Sequence, residues 1–189
     1  MDSQAVLDLF RRHTGLLEGH FRLSSGLHSP GYLQCARVLQ FPEAATQLGV
    51  ALAERVGPWA ADVVLSPALG GVVIGHEVAR ALGLRAVFAE RSAGRLTLRR
   101  GFEIASAERV VVVEDVVTTG GSTRETIDVA AGAGGVVAGA VAIIDRSEGQ
   151  NAFEVPFTAL AEFPLPTYDR DDCPLCSRGV PVTKPGSRV

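Results

Sequence analysis

The chain has 189 residues, a mass of 19.8 kDa, a formal net charge of -3 and a pI near 5.8. Hydrophobic residues at 47% against 21% charged exclude a mainly disordered chain and fit one domain with a sizeable core. The acidic balance argues against a nucleic-acid binder driven by bulk positive charge, and with Lys184 the single lysine, side-chain contacts to phosphate fall to arginine.

In chain order, Asp2 or Ser3 is placed to cap a first helix in which Val6, Leu9 and Phe10 recur at helical spacing, and Thr14-Gly15 stops it. The glycine-punctuated stretch from Leu16 to Cys35 holds two short extended segments, Phe21-Arg22-Leu23 and Tyr32-Leu33-Gln34. Pro42 stands at a first helical position and opens a helix to about Val56. From Asp62 aliphatic runs at 62–66, 85–90, 109–113 and 136–144 alternate with helical stretches at 72–82 and 122–131. The runs are continuously apolar, as strands covered on both faces of a parallel sheet must be. The expected class is therefore α/β, a mainly parallel central sheet flanked by helices. A further run, 153–160, contains Pro156, which predicts a place near the sheet edge. From Pro164 the chain is proline-rich and lacks either period, so 1–163 read as one domain and 164–189 as a tail lying over it.

No membrane association is expected: the Met1-Asp2-Ser3-Gln4 start lacks a signal-peptide basic region, and the most apolar stretch, 129–144, carries four glycines and no aromatic anchors. Three cysteines make no disulfide framework, which predicts a reducing cytoplasm. Cys173-x-x-Cys176 has zinc-knuckle spacing, but a structural site takes four ligands and no second pair is evident, short of one shared across a dimer. His13, His20, His28 and His76 are scattered and read as surface or packing residues.

The segment Val110-Val111-Val112-Val113-Glu114-Asp115-Val116-Val117-Thr118-Thr119-Gly120-Gly121-Ser122-Thr123 carries the chemistry. Four valines make a buried strand, two carboxylates follow at its C-terminal end, and a hydroxyl- and glycine-rich loop leads into a helix. In open α/β sheets ligands bind at that edge. Successive N–H groups aimed from a helix N-terminus cradle a phosphate, while the absence of a lysine after Gly121 excludes a Walker loop. Two carboxylates repel a bare phosphate, so they must face sugar hydroxyls or a divalent cation. A ligand with phosphate, ribose and metal-bound pyrophosphate meets both demands. Ser66-Pro67-Ala68-Leu69-Gly70-Gly71 is a second strand-to-helix turn.

At these residues the chain resembles the type I phosphoribosyltransferases, whose signature is a hydrophobic run, two acids and a Thr/Gly-rich loop. The resemblance implies that fold, with a small N-terminal hood (mainly 16–40), a core over 42–163 and the C-terminal tail. It also implies binding of 5-phosphoribosyl 1-diphosphate (PRPP). Thr118, Thr119, Gly120, Gly121, Ser122 and Thr123, with Val116 and Val117, would hold the 5′-phosphate region, and Glu114 and Asp115 the ribose hydroxyls. Ala68, Leu69 and Gly70 would meet the pyrophosphate, with Ala68-Leu69 the candidate for a cis bond.

Phe21-Arg22-Leu23-Ser24-Ser25-Gly26-Leu27-His28-Ser29-Pro30-Gly31-Tyr32-Leu33 is similar to the hood segment of orotate phosphoribosyltransferases. Ala142-Ile143-Ile144-Asp145-Arg146 resembles their strand ending in Asp-Arg, and Cys173-Pro174-Leu175-Cys176 with Lys184-Pro185-Gly186-Ser187-Arg188 is similar to the ending of some bacterial members. The implied substrate is orotate, held by Arg146, Thr118 and Tyr32; a guanidinium grips the carboxylate that this base alone among nucleobase substrates carries. The implied cofactor is Mg²⁺, held by PRPP and water with no dedicated protein ligands, and the implied assembly is a homodimer with shared active sites. The chain departs from the pattern at Ser24, where the family has lysine, and in the stretch 90–101, which has arginines but neither lysine nor histidine. There Arg91 takes one family basic position, and Arg95, Arg99 or Arg100 would supply the other charge from a mobile lid over 92–101. Asp115, Glu114, Arg91 and Arg95 are thus the expected catalytic residues. A purine phosphoribosyltransferase, which has no need of Arg146, and a PRPP-binding regulator without turnover are the alternatives.

Overall fold

The computed structural model describes residues 1–23 and 25–185, so Ser24 and the 186–188 part of the terminal motif lie outside the described residues. Helix α1 (Ser3–Arg12) begins where the Asp2 carboxylate accepts from the Ala5 N–H at 2.8 Å, and it buries Val6, Leu9 and Phe10. It ends as the Gly15 N–H bonds back to the Phe10 carbonyl at 2.7 Å. Strands β1 (Leu16–Arg22) and β2 (His28–Leu33) form a separate antiparallel hairpin. The chain then turns through α2 (Cys35–Leu39), a short helix absent from the sequence reading, into α3 (Pro42–Val56) with proline in its first turn.

Six strands build the central sheet: β3 (Val63–Pro67), β4 (Arg85–Ser92), β5 (Arg95–Leu98), β6 (Arg109–Val117), β7 (Val136–Asp145) and β8 (Phe157–Glu162). Their order is β5-β4-β3-β6-β7-β8, and only the β4–β5 pair is antiparallel. Helices α4 (Gly70–Leu82) and α5 (Gly121–Gly132) are the crossovers. Val110, Val111, Val112 and Val113 are all fully buried because β6 is central and covered on both faces. Alternation sends Val111 and Val113 into the larger core with α1 to α4, and Val110 into a second core beside β4, β5 and α5.

Three readings are corrected here. The β6 ladder continues past Val113 to pair Val117 with Asp145, so the strand read over 109–113 runs on to Val117 and includes both acids. The last strand starts only at Phe157: Pro156 offers no N–H, and the ladder to β7 forms after it. The tail is not featureless. It makes a single turn, α6 (Pro174–Ser177), and lies against the hairpin through bridges Phe21–Thr183 and His28–Tyr168. Among the described residues no helix is long and apolar enough to cross a membrane.

Candidate active site

The parallel strands β3 and β6 deliver their C-terminal ends to one edge of the sheet, and both continue into helices there. A cleft of about 390 Å³ opens at the end of β6, lined by Glu114, Val116 through Thr123, Arg91 and Glu125. Gly120 begins α5 with φ +74°, a left-handed conformation that glycine adopts without penalty, and no side chain caps the helix. The uncapped first turn of α5 therefore presents its N–H groups and the positive end of its dipole to the cleft. Arg124 fastens the loop from outside, donating to the Thr119 carbonyl while its guanidinium lies 5.6 Å from the centre of the Phe153 ring. Sequence reading missed Arg124, since a surface arginine one turn into a helix gives no signal of its target.

Adjacent residues leave a strand on opposite faces, yet the Glu114 and Asp115 carboxyl groups stay close enough to interact across the strand's end. Asp115 follows Val113 toward α2 and α4; a Cβ on Gly70 would stand 2.7 Å from its Oδ2, so glycine there keeps the carboxylate accessible. Glu114 follows Val112 to the α5 face and is only 6% exposed. Burial first, and the Asp115 charge second, push the Glu114 carboxyl well above the usual range. Cys35, at the start of α2, is buried beside Asp115; burial first, and the Asp115 charge second, push its thiol up. The sequence offered no signal for this contact across 80 positions. Ala68-Leu69 at the end of β3 is the cis bond that the resemblance implied, and Leu69 is 79% exposed beside the N-terminus of α4.

Arg146 follows the last residue of β7, and its N–H donates to the Val117 carbonyl at 2.8 Å, which sets it beside Thr118. Its guanidinium is largely enclosed, forms no ion pair among the described residues, and its Nε is buried without a hydrogen-bond partner. Half-buried Tyr32 lies in the fields of both Arg146 and Asp115; burial and then Asp115 raise its phenol, against Arg146. The hood tyrosine, the β6 acid and the β7 arginine thus converge, although 114 positions separate Tyr32 from Arg146.

The stretch read as a lid folds as a hairpin, the continuation of β4 into β5. Ala93 and Gly94, both at positive φ, make its two-residue turn, and Leu96 is buried. Glu125 of α5 clamps it, accepting from the Leu96 N–H at 2.7 Å and from Arg91 at 2.8 Å. Arg91 therefore does line the phosphate cleft, but with its charge already partnered. Arg100 pairs with Glu90, and Arg95 is exposed by the turn, outside the cleft lining. Of the histidines read as surface or packing residues, His20 and His28 are packing residues: both are buried, 2.8 Å apart, because the hairpin and the tail pack together.

A model of the phosphoribosyl transferase domain matches residues 37–158. The orotate phosphoribosyltransferase of Heliobacterium modesticaldum is 53% identical over 191 residues, covering the whole of both chains. The chain belongs to the orotate phosphoribosyltransferase family. That of Caldanaerobacter subterraneus is 48% identical over all of this chain and 99% of its own. Among solved structures, orotate phosphoribosyltransferase from Aeropyrum pernix superposes with a TM-score of 0.66 at 26% identity, over 83% of this chain and 93% of that one. The domain model stops short of the hood hairpin and the tail, whereas the family relatives match through both.

Proposed function

We propose that the chain transfers the 5-phosphoribosyl group of PRPP to N1 of orotate, forming orotidine 5′-monophosphate and pyrophosphate, a step of pyrimidine nucleotide synthesis. One observation carries the choice of base: a largely enclosed guanidinium, Arg146, with a buried Nε lacking any partner. A buried guanidinium nitrogen without an acceptor is costly, and a planar carboxylate offered beside Tyr32 and Thr118 supplies one. A purine base carries no carboxylate to do so.

In this reading the uncapped first turn of α5, with the loop Thr118 to Thr123, takes the 5′-phosphate. Asp115 and Glu114 flank the ribose from the two faces of β6, and Ala68, Leu69 and Gly70 meet the pyrophosphate. The C1′–oxygen bond to pyrophosphate breaks and the C1′–N1 bond forms. Orotate arrives as an anion, so the protein contributes orientation and electrostatics rather than a strong base. The oxygen-rich acidic edge of the cleft fits a hard cation beside a diphosphate. Mg²⁺, held mainly by PRPP and water, supplies charge compensation for the leaving group. Arg91 would serve the pyrophosphate only by giving up part of its pairing with Glu125.

We also assign the chain one phosphoribosyltransferase domain over 1–163 with a tail over 164–189, a cytoplasmic setting, and a homodimer in which Arg95 reaches the neighbouring subunit's site. The test is the absorbance change on mixing the protein with orotate, PRPP and Mg²⁺. Turnover with orotate but not hypoxanthine or xanthine is expected. PRPP binding without turnover on any base would identify a regulator instead.

A further inference from the structure

His20, His28, Cys173 and Cys176 come from opposite ends of the chain, yet each offers one ligand atom and all four atoms lie within 4.8 Å of one another. Alternation along β1 puts His20 on the face of Arg22, whose cross-strand partner is His28, so the two imidazoles lie diagonally on one face of the hairpin. Cys173 immediately precedes α6 and Cys176 lies within its single turn, and the tail brings both over that face. Cys173 Sγ is 3.6 Å from His20 Nε2, and Cys176 Sγ is 3.8 Å from the same atom and 3.3 Å from His28 Nδ1. Tetrahedral zinc with bonds of about 2.3 Å to sulfur and 2.0–2.1 Å to nitrogen requires sulfur–nitrogen separations of about 3.5 Å. The observed sulfur–nitrogen spacings of 3.3–3.8 Å bracket that value, and the two nitrogens, 2.8 Å apart in a hydrogen bond, would open by roughly half an ångström to share the ion.

The outer contacts have the right sense. His20 Nδ1 lies 2.7 Å from the Val180 carbonyl, which only accepts, so the proton sits on Nδ1 and Nε2 turns a bare lone pair toward the thiols and His28. A ligating imidazole ordinarily donates its other N–H to such a carbonyl. Three of the four residues are buried and Cys176 is partly so, and no carboxylate belongs to the group. Two thiols and two imidazoles select zinc over the hard cation that PRPP brings.

We propose that His20, His28, Cys173 and Cys176 form a structural Zn²⁺ site that clamps the C-terminal tail onto the hood hairpin. The four-ligand set leaves no open position, so the ion is structural rather than catalytic. It would reinforce the backbone contacts already joining the two segments on either side of the cluster. These are Arg22 N–H to Thr183, Thr183 N–H to His20, and the reciprocal His28–Tyr168 pair, all at 2.8–2.9 Å. Because the clamped hairpin is the segment that carries Tyr32, loss of the metal would loosen the base side of the cleft.

The test uses the full chain, purified under a thiol reductant without added metal. Elemental analysis should find about one zinc per chain, a single closed four-ligand site. Cobalt substitution should give the visible bands of a tetrahedral ion together with thiolate charge-transfer absorption. Stripping an outer-shell partner costs roughly 10–100-fold in affinity. Cys176→Ser and His28→Gln, which remove ligands, should therefore weaken zinc binding by more than about 100-fold, with exposed His76→Ala unchanged. Zinc should also slow proteolysis within 164–185 of the wild-type chain. Should both ligand variants misfold, chelator-stripped, reduced wild type titrated with Zn²⁺ against a metal indicator decides the matter. Uptake below about one-tenth equivalent at micromolar zinc overturns the proposal, as does equal loss in His76→Ala. Stoichiometric zinc with no change in tail proteolysis would overturn the clamp.

Discussion

Glu114 and Asp115 are chain neighbours in unlike environments, and the difference has a measurable consequence. Burial raises the Glu114 carboxyl well above its ordinary value. A raised value in the folded chain favours folding fully at low pH, and that contribution is lost as pH rises through the folded value. Glu114→Gln does not titrate. It should match wild type in melting temperature below the ordinary carboxylate range and exceed it at neutral pH, by roughly 2–4 °C for each ~1 kcal/mol of relieved penalty. Its turnover should fall, because an amide N–H₂ donor would replace one of the carboxyl oxygens offered to the ribose. Thermal scans from acid to neutral pH check this, and a constant offset would place the strain elsewhere. Arg146 poses the complementary case, a cation awaiting its anion. Arg146→Ala should raise the orotate KM roughly 10- to 150-fold, the equivalent of one charged hydrogen-bonded pair at about 1.5–3 kcal/mol, and leave the KM for PRPP nearly unchanged. Equal effects on both substrates would mean that Arg146 acts through the loop beside it.

At the scale of elements, the β4–β5 hairpin hangs on a single side chain of α5. Glu125 accepts from the Leu96 amide, and this bond, more than its Arg91 partner, holds its carboxyl below the ordinary range. A depressed value means that the contact stabilises above the unfolded value and is lost as pH falls through the folded one. The pair is partly exposed, which reduces its worth to about 0.5–1 kcal/mol. Glu125→Gln should therefore speed hydrogen exchange at Leu96 about two- to fivefold without unfolding the sheet. It should also free Arg91 for the cleft. The same acceleration should appear in wild type on acidification and be absent from the variant.

For the whole molecule, the exposed position of Arg95 beside a two-residue turn suits it to a neighbouring subunit better than to its own cleft. If Arg95→Ala and Asp115→Asn are each inactive, mixing them should restore activity in hybrid dimers, since one of the two sites then combines intact halves. Random reassortment caps recovery at about a quarter of the wild-type specific activity, half the dimers being hybrid with half their sites whole. No recovery after verified subunit exchange would assign each site to a single chain.

What the sequence by itself determined was local. Continuous valine runs specify strands buried on both faces, Asp2 or Ser3 specifies a helix start, and four valines followed by two acids, hydroxyls and glycines specify a strand-turn-helix with a glycine-rich bend. Each of these rests on interactions within a few positions. The extent of β6 and the late start of β8 were decided by ladder partners, which the strand's own residues do not encode. The arginine-rich stretch reads as a lid because polar composition with glycine suits solvent; its hairpin form rests on buried Leu96 and distant Glu125, which that composition does not reveal. Arg146 and Tyr32 were legible as candidates, but the missing partner of Arg146 is a property of packing. The Cys-x-x-Cys pair lacked its second half for the same reason: His20 and His28 lie about 150 positions away. A cross-strand diagonal and a folded-back tail, neither visible as spacing along the chain, bring the four together.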